Sequence, residues 1–130
     1  MLKILALLSV ALFFFACQGE ETVFIKQIKN DSSQQCTFYF FGPNNTALFS
    51  DTVIVAAGTT EKIYSYFEEN SSINANQSCG IYTDQDDTIS VETTSGGKLI
   101  KSLYADQDWE YLSYNNEQIC TFVITDGDIQ

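Results

Sequence analysis

The chain has 130 residues and is acidic, with 17 Asp and Glu against six Lys, no Arg and no His. That balance argues against nucleic acid as a partner, since nothing here neutralises a row of phosphates, and against docking on anionic membrane by electrostatics alone. Without His or Arg the chain builds no Ser-His-Asp triad, Cys-His dyad, His-based metal site or guanidinium clamp for phosphate, so it is expected to be no enzyme and to carry no cofactor.

Lys3 gives the first segment a short positive end, and Ile4 to Phe15 is apolar apart from Ser9. A run of this length suits the apolar core of a signal peptide and falls short of the ~20 residues of a spanning helix. It ends in Phe14-Phe15-Ala16-Cys17. A small residue directly before Cys resembles the lipobox of bacterial lipoproteins, although Phe14 and Phe15 depart from its Leu-Ala/Ser-Gly/Ala form. The resemblance implies a diacylglyceryl group on the Cys17 thiol, cleavage between Ala16 and Cys17, and acylation of the new amine. Two or three acyl chains hold a protein on a membrane where one is marginal. The alternative is an ordinary secretory signal whose Cys17 joins a disulfide.

Cleavage leaves five lysines against 17 acids, a net charge of −12. The next residues, Gln18-Gly19-Glu20-Glu21, resemble the surface-export signal of Bacteroidota lipoproteins; the competing reading is a solvated tether in a chain that is acidic throughout. The expected organisation is a removed signal peptide at 1–16, a lipidated Cys and acidic tether at 17–22, and one folded domain at 23–130. The expected address is the outer membrane, held by lipid and facing outward.

The mature chain reads as strands. Val23 to Lys29 (VFIKQIK) is followed by Cys36 to Phe41 (CTFYFF), whose aromatics favour a pleated surface, and by a turn at Gly42-Pro43-Asn44-Asn45. Asp51 to Ala57 (DTVIVAA) closes on Gly58, and Glu61 to Phe67 (EKIYSYF) leads to the polar loop Glu68 to Ser78. Cys79 to Thr83 (CGIYT) is short. Thr88 to Thr94 (TISVETT) turns at Ser95-Gly96-Gly97 into Lys98 to Tyr104 (KLIKSLY), as a hairpin. Trp109 to Tyr114 (WEYLSY) turns at Asn115-Asn116 into Gln118 to Thr125 (QICTFVIT), where Cys120, Phe122 and Ile124 alternate. Eight or nine short strands predict an all-β, antiparallel β-sandwich of Ig-like type, with a small closed β-barrel as the alternative.

Lys29-Asn30-Asp31-Ser32, the Asp-Thr-apolar strand with its Gly turn, Asp87 to Val91 leading to Gly-Gly-Lys, and the ending Thr121 to Asp126 together resemble the small lipoproteins of Bacteroidota. The resemblance implies a β-sandwich on a lipid anchor and brings no activity or site with it.

Three thiols remain after Cys17, namely Cys36, Cys79 and Cys120, in a compartment that permits disulfides. They allow three single pairings with one thiol left over, with a slight lean to Cys36 and Cys120, which begin strands of similar pattern; the alternative is that one or all are small buried hydrophobes. The clusters Asp84-Gln85-Asp86-Asp87, Asp106-Gln107-Asp108 and Asp126-Gly127-Asp128 read first as turn residues and second as weak Ca²⁺ ligands. No pair among them is singled out for glycoside chemistry. Trp109 and Tyr111 share a strand face and read as core packing or, if exposed, as rings that stack on a sugar or a protein. Asp51-Thr52-Val53 and Asp87-Thr88-Ile89 resemble the Bacteroidota O-glycosylation acceptor, which makes Thr52 and Thr88 candidates. The function expected is a non-enzymatic binding module anchored by lipid, with a structural envelope lipoprotein lacking any ligand as the alternative.

Overall fold

The computed structural model describes residues 21–41, 51–69, 78–81 and 88–130. Among them lie seven strands: β1 (Glu21–Asn30), β2 (Cys36–Phe41), β3 (Thr52–Val55), β4 (Thr60–Glu69), β5 (Thr88–Thr93), β6 (Trp109–Tyr114) and β7 (Glu117–Ile124). They form two sheets, ordered β4-β1-β7-β6 and β3-β2-β5, and no closed barrel. No described helix is long and apolar enough to cross a membrane.

The strands follow a period-two pattern. In β7, Gln118, Cys120, Phe122 and Ile124 are buried while the residues between them are exposed or half-buried. In β2, Cys36, Phe38 and Phe40 are buried and Thr37, Tyr39 and Phe41 face away. The inner faces meet in a core that includes Phe38 and Phe122, both at 0 % exposure, along with Ile28, Ile63, Val55 and Ile124. Full burial of each such side chain stabilises by about 1.5–3 kcal/mol.

Several expectations are corrected. The described strands number seven, not eight or nine. Residues 78–81 are not a strand, although Ile81 N–H donates to Leu103 O at 2.8 Å. The expected hairpin from β5 into 98–104 does not form. Past Gly96, which has φ +76°, the chain leaves the sheet, and Leu99 pairs instead with Ile129 near the C-terminal end. Lys98 N–H donates to Gln130 O and Gln130 N–H to Lys98 O, which fixes this crossing. Its strand-like alternation is cut short where Asp108 accepts the Ser102 N–H at 2.7 Å and turns the chain. The first sheet is also mixed: β1 runs parallel to β7 from Val23↔Glu117 to Asn30↔Ile124 and antiparallel to β4. Against β4 the register shifts at Lys26/Gln27, so Ile63 is the extra residue of a bulge and fills the core.

The Lys29-Asn30-Asp31-Ser32 segment has a physical purpose. Asn30 is fully buried at the end of β1. Its Nδ2 donates to Gln34 O at 2.6 Å and Val55 O at 2.9 Å, and its Oδ1 accepts from Ser32 N–H at 3.1 Å and Ser32 Oγ at 2.6 Å. A buried amide with every donor and acceptor satisfied stabilises only this arrangement.

Candidate functional site

The outer face of the three-stranded sheet carries an aromatic pair, an exposed Phe41 beside a half-buried Tyr39. Because β2 puts Cys36, Phe38 and Phe40 into the core, alternation turns Thr37, Tyr39 and Phe41 outward. The Tyr39 and Phe41 rings lie side by side, 6.3 Å apart and 19° from parallel. The hydroxyl of Tyr39 donates to Glu92 Oε2 at 3.1 Å. That bond, followed by partial burial and the Glu92 charge, raises the phenol above its ordinary pKa. On β3, Ile54 stands opposite Thr37. Phe41 is 54 % and Ile54 55 % exposed. Rows of large apolar groups turned to water on a regular sheet are uncommon without a partner.

The two candidate threonines flank this pair. Thr52 opens β3 opposite Tyr39, and Thr88 opens β5 opposite Phe41, so they sit on either side of β2 at the same end of the sheet. Both are exposed. Sequence reasoning did not locate this face. The strand CTFYFF has rings at Phe38, Tyr39, Phe40 and Phe41, on both faces, so ring density alone does not say which side is outward. The useful signal was Thr37 and the Tyr39 hydroxyl, polar groups that mark one face as wet.

No family model, curated protein or solved structure matches this chain.

Of the other candidates, Ala16, Cys17 and Glu20 lie outside the described residues, and so do Asp84, Asp86 and Asp87. Glu21 is the exposed first residue of β1, opposite Glu69. Cys79 and Cys120 are joined in a disulfide and Cys36 is a buried free thiol. This corrects the lean towards Cys36 with Cys120: Cys36 belongs to the second sheet, and residues 78–81 are what lie over Cys120. Burial pushes the Cys36 thiol up, away from the reactive thiolate.

Trp109 is core rather than platform. It is 7 % exposed, packs edge-to-face on Phe122 at 5.3 Å, and donates its indole N–H to Leu103 O at 3.0 Å. Tyr111 beside it is half-buried.

The described acidic clusters serve as turn caps. Asp106 accepts from Gly80 N–H and the Ser78 hydroxyl, and Asp126 from Ser33 N–H at 2.7 Å and Ser33 Oγ at 2.8 Å. Asp128 accepts from Thr125 N–H and Oγ1, both at 2.8 Å, and pairs with Lys101 at 3.1 Å. Among the described residues no group of three or more His, Cys, Asp or Glu is placed to hold a metal.

Lys26 is an unusual inward cation. It shares a ladder row with Cys120, and its Nζ donates to Gly80 O at 2.9 Å while lying 6.0 Å from the centre of the Trp109 ring. Burial lowers its pKa, and the Asp106 carboxylate partly restores it. With its ammonium bonded to the Gly80 carbonyl, Lys26 fastens residues 78–81 to the first sheet.

Proposed function

We propose that this protein is a lipid-anchored envelope lipoprotein of Bacteroidota type, held on the outer membrane through Cys17, faced outward by the Glu20-Glu21 signal, and used for binding without catalysis. The observation that carries the binding reading is the outer face of the three-stranded sheet, where Tyr39 and Phe41 are paired beside an exposed Ile54. The net negative charge of the chain keeps it soluble and repels non-specific partners, so an apolar platform on it is selective. The division of the described strands into four and three supports an Ig-like sandwich, although the order β4-β1-β7-β6 is not that of an immunoglobulin constant domain.

The test is a pulldown from native outer membrane with the wild-type lipoprotein and a Tyr39→Ala/Phe41→Ala variant. A stoichiometric partner kept by the first and lost by the second supports the reading; equal recovery by both, or none by either, refutes it. Protease shaving of intact cells tests the address. Glu20→Ala/Glu21→Ala is expected to abolish accessibility, and unchanged accessibility refutes the sorting role. Thr52 and Thr88 are carried as O-glycosylation candidates, read by the intact mass of native protein.

A further inference from the structure

A cleft of about 320 Å³ lies on the inner side of β5, away from the aromatic face. One wall is Ile89 and Val91, alternate residues of β5 that share its inward face. The other wall is the crossing segment that failed to become a strand, with Leu99 and Leu103 supplying apolar surface and Lys98 and Lys101 supplying charge. The Tyr104 hydroxyl accepts the Ile89 N–H at 2.8 Å and bridges the two walls.

The two lysines are not equivalent. Lys101 is committed, since its Nζ donates to Val123 O at 2.8 Å and pairs with Asp128. Lys98 is exposed, and among the described residues no carboxylate pairs with it. In a chain with 17 acids and six lysines, an ammonium with no carboxylate partner among the described residues, at the edge of a cleft with four apolar lining side chains, is a local exception to the overall field. That field is screened beyond about 8 Å at physiological salt, so at contact distance Lys98 decides the sign of what fits. Ligand clefts are mostly apolar with few polar groups that fix orientation. At 320 Å³ the volume is roughly twice that of a cavity that takes benzene.

We infer that this cleft binds a small amphipathic carboxylate, with an apolar body of about ten carbons between β5 and the 98–104 segment and its carboxylate on Lys98. Ser102, also on the lining, supplies a hydroxyl within the same wall.

The experiment uses the full chain in neutral phosphatidylcholine nanodiscs and a diazirine-bearing decanoate, with crosslinks mapped by peptide mass spectrometry. Crosslinks are expected on residues 88–104, to be competed by decanoate at least tenfold better than by decanamide. Lys98→Gln is expected to remove that preference, and Val91→Trp, which fills the cleft, to remove the crosslinks. The far-UV spectrum and an intact Cys79–Cys120 bond establish that each variant is folded, and Lys98 is exposed enough that its variant keeps the test valid if Val91→Trp fails to fold. Crosslinks spread evenly along the chain, equal competition by decanamide, or a Lys98→Gln variant with wild-type preference would each overturn the inference.

Discussion

The side-chain amide of Asn30, on β1 of the first sheet, donates a 2.9 Å hydrogen bond to the main-chain carbonyl of Val55, on β3 of the second. The two sheets are thus joined by a directed polar contact as well as by apolar packing. Asn30→Asp keeps the shape and the oxygen that accepts from Ser32, but it turns a carboxylate oxygen towards the carbonyls of Gln34 and Val55. A buried acceptor left without its donor costs about 1–3 kcal/mol, and more when charge is involved. Asn30→Asp is therefore expected to lose about 3 kcal/mol or more in urea unfolding at pH 7, and no less than Asn30→Ala. A near-neutral Asn30→Asp would show that the amide orientation is not what joins the sheets.

The Cys79–Cys120 bond closes a loop of 41 residues around β5 and the crossing segment. On the chain-entropy account a loop of that length stabilises by about 4 kcal/mol at 25 °C. Replacing both cysteines with Ala is expected to lower the unfolding free energy by roughly 3–4 kcal/mol, measured by denaturant titration with Cys36 left in place. Cys36 itself, at 0 % exposure, is expected to resist alkylation in the folded protein and to react once urea unfolds it. Labelling of Cys36 at the rate of a free thiol would contradict its burial.

Gln118 is 2 % exposed, and among the described residues neither its Nε2 nor its Oε1 finds a hydrogen-bond partner. It stands in the ladder row of Phe24 on one side and Ser113 on the other. A buried amide of this kind pays its desolvation without return. Gln118→Leu, similar in volume, is expected to raise stability by about 1–2 kcal/mol, while Gln118→Ala, which opens a void, is expected to lower it. Thermal melts of the two variants separate the explanations. Loss of stability in both would mean that the amide is bonded after all.

Much of the architecture was readable wherever a strand has one wet and one dry face. The Asn115-Asn116 hairpin came through because Trp109 to Tyr114 and Gln118 to Ile124 alternate on either side of a two-residue turn, with Asn115 at φ +53°. Lys98 to Tyr104 has the same apolar spacing, yet it pairs with the chain end through Leu99 and Ile129, a contact between distant residues that no local pattern encodes. The parallel match of β1 with β7 and the Cys79–Cys120 pairing are non-local in the same way. The aromatic face was hidden for another reason. β2 carries rings on both of its faces and β6 carries them at Trp109, Tyr111 and Tyr114, and only the packing of the sheets turns Tyr39 outward and Trp109 inward.

The end of the chain should respond to acid. Asp126 is held below the usual carboxylate range by the backbone N–H of Ser33 and then by its hydroxyl. For Asp128, burial alone pushes the carboxyl up, but the Thr125 N–H, the Thr125 hydroxyl and Lys101 together outweigh it and bring it below its ordinary value. A carboxyl whose folded pKa is depressed binds fewer protons folded than unfolded, so its stabilisation is complete above the unfolded pKa, near 3.8, and is lost as pH falls through the lower folded value. Melting temperature should therefore hold steady down to about pH 5 and fall progressively below it. In Asp126→Asn/Asp128→Asn the same fall should be shallower, because neither position then takes up a proton. The turn these residues close fixes the chain end against which Leu99 and Lys101 are set, so acid should also loosen residues 98–101, read as faster amide hydrogen exchange there than in β7. An equal slope in wild type and double variant would place the acid sensitivity in other carboxylates.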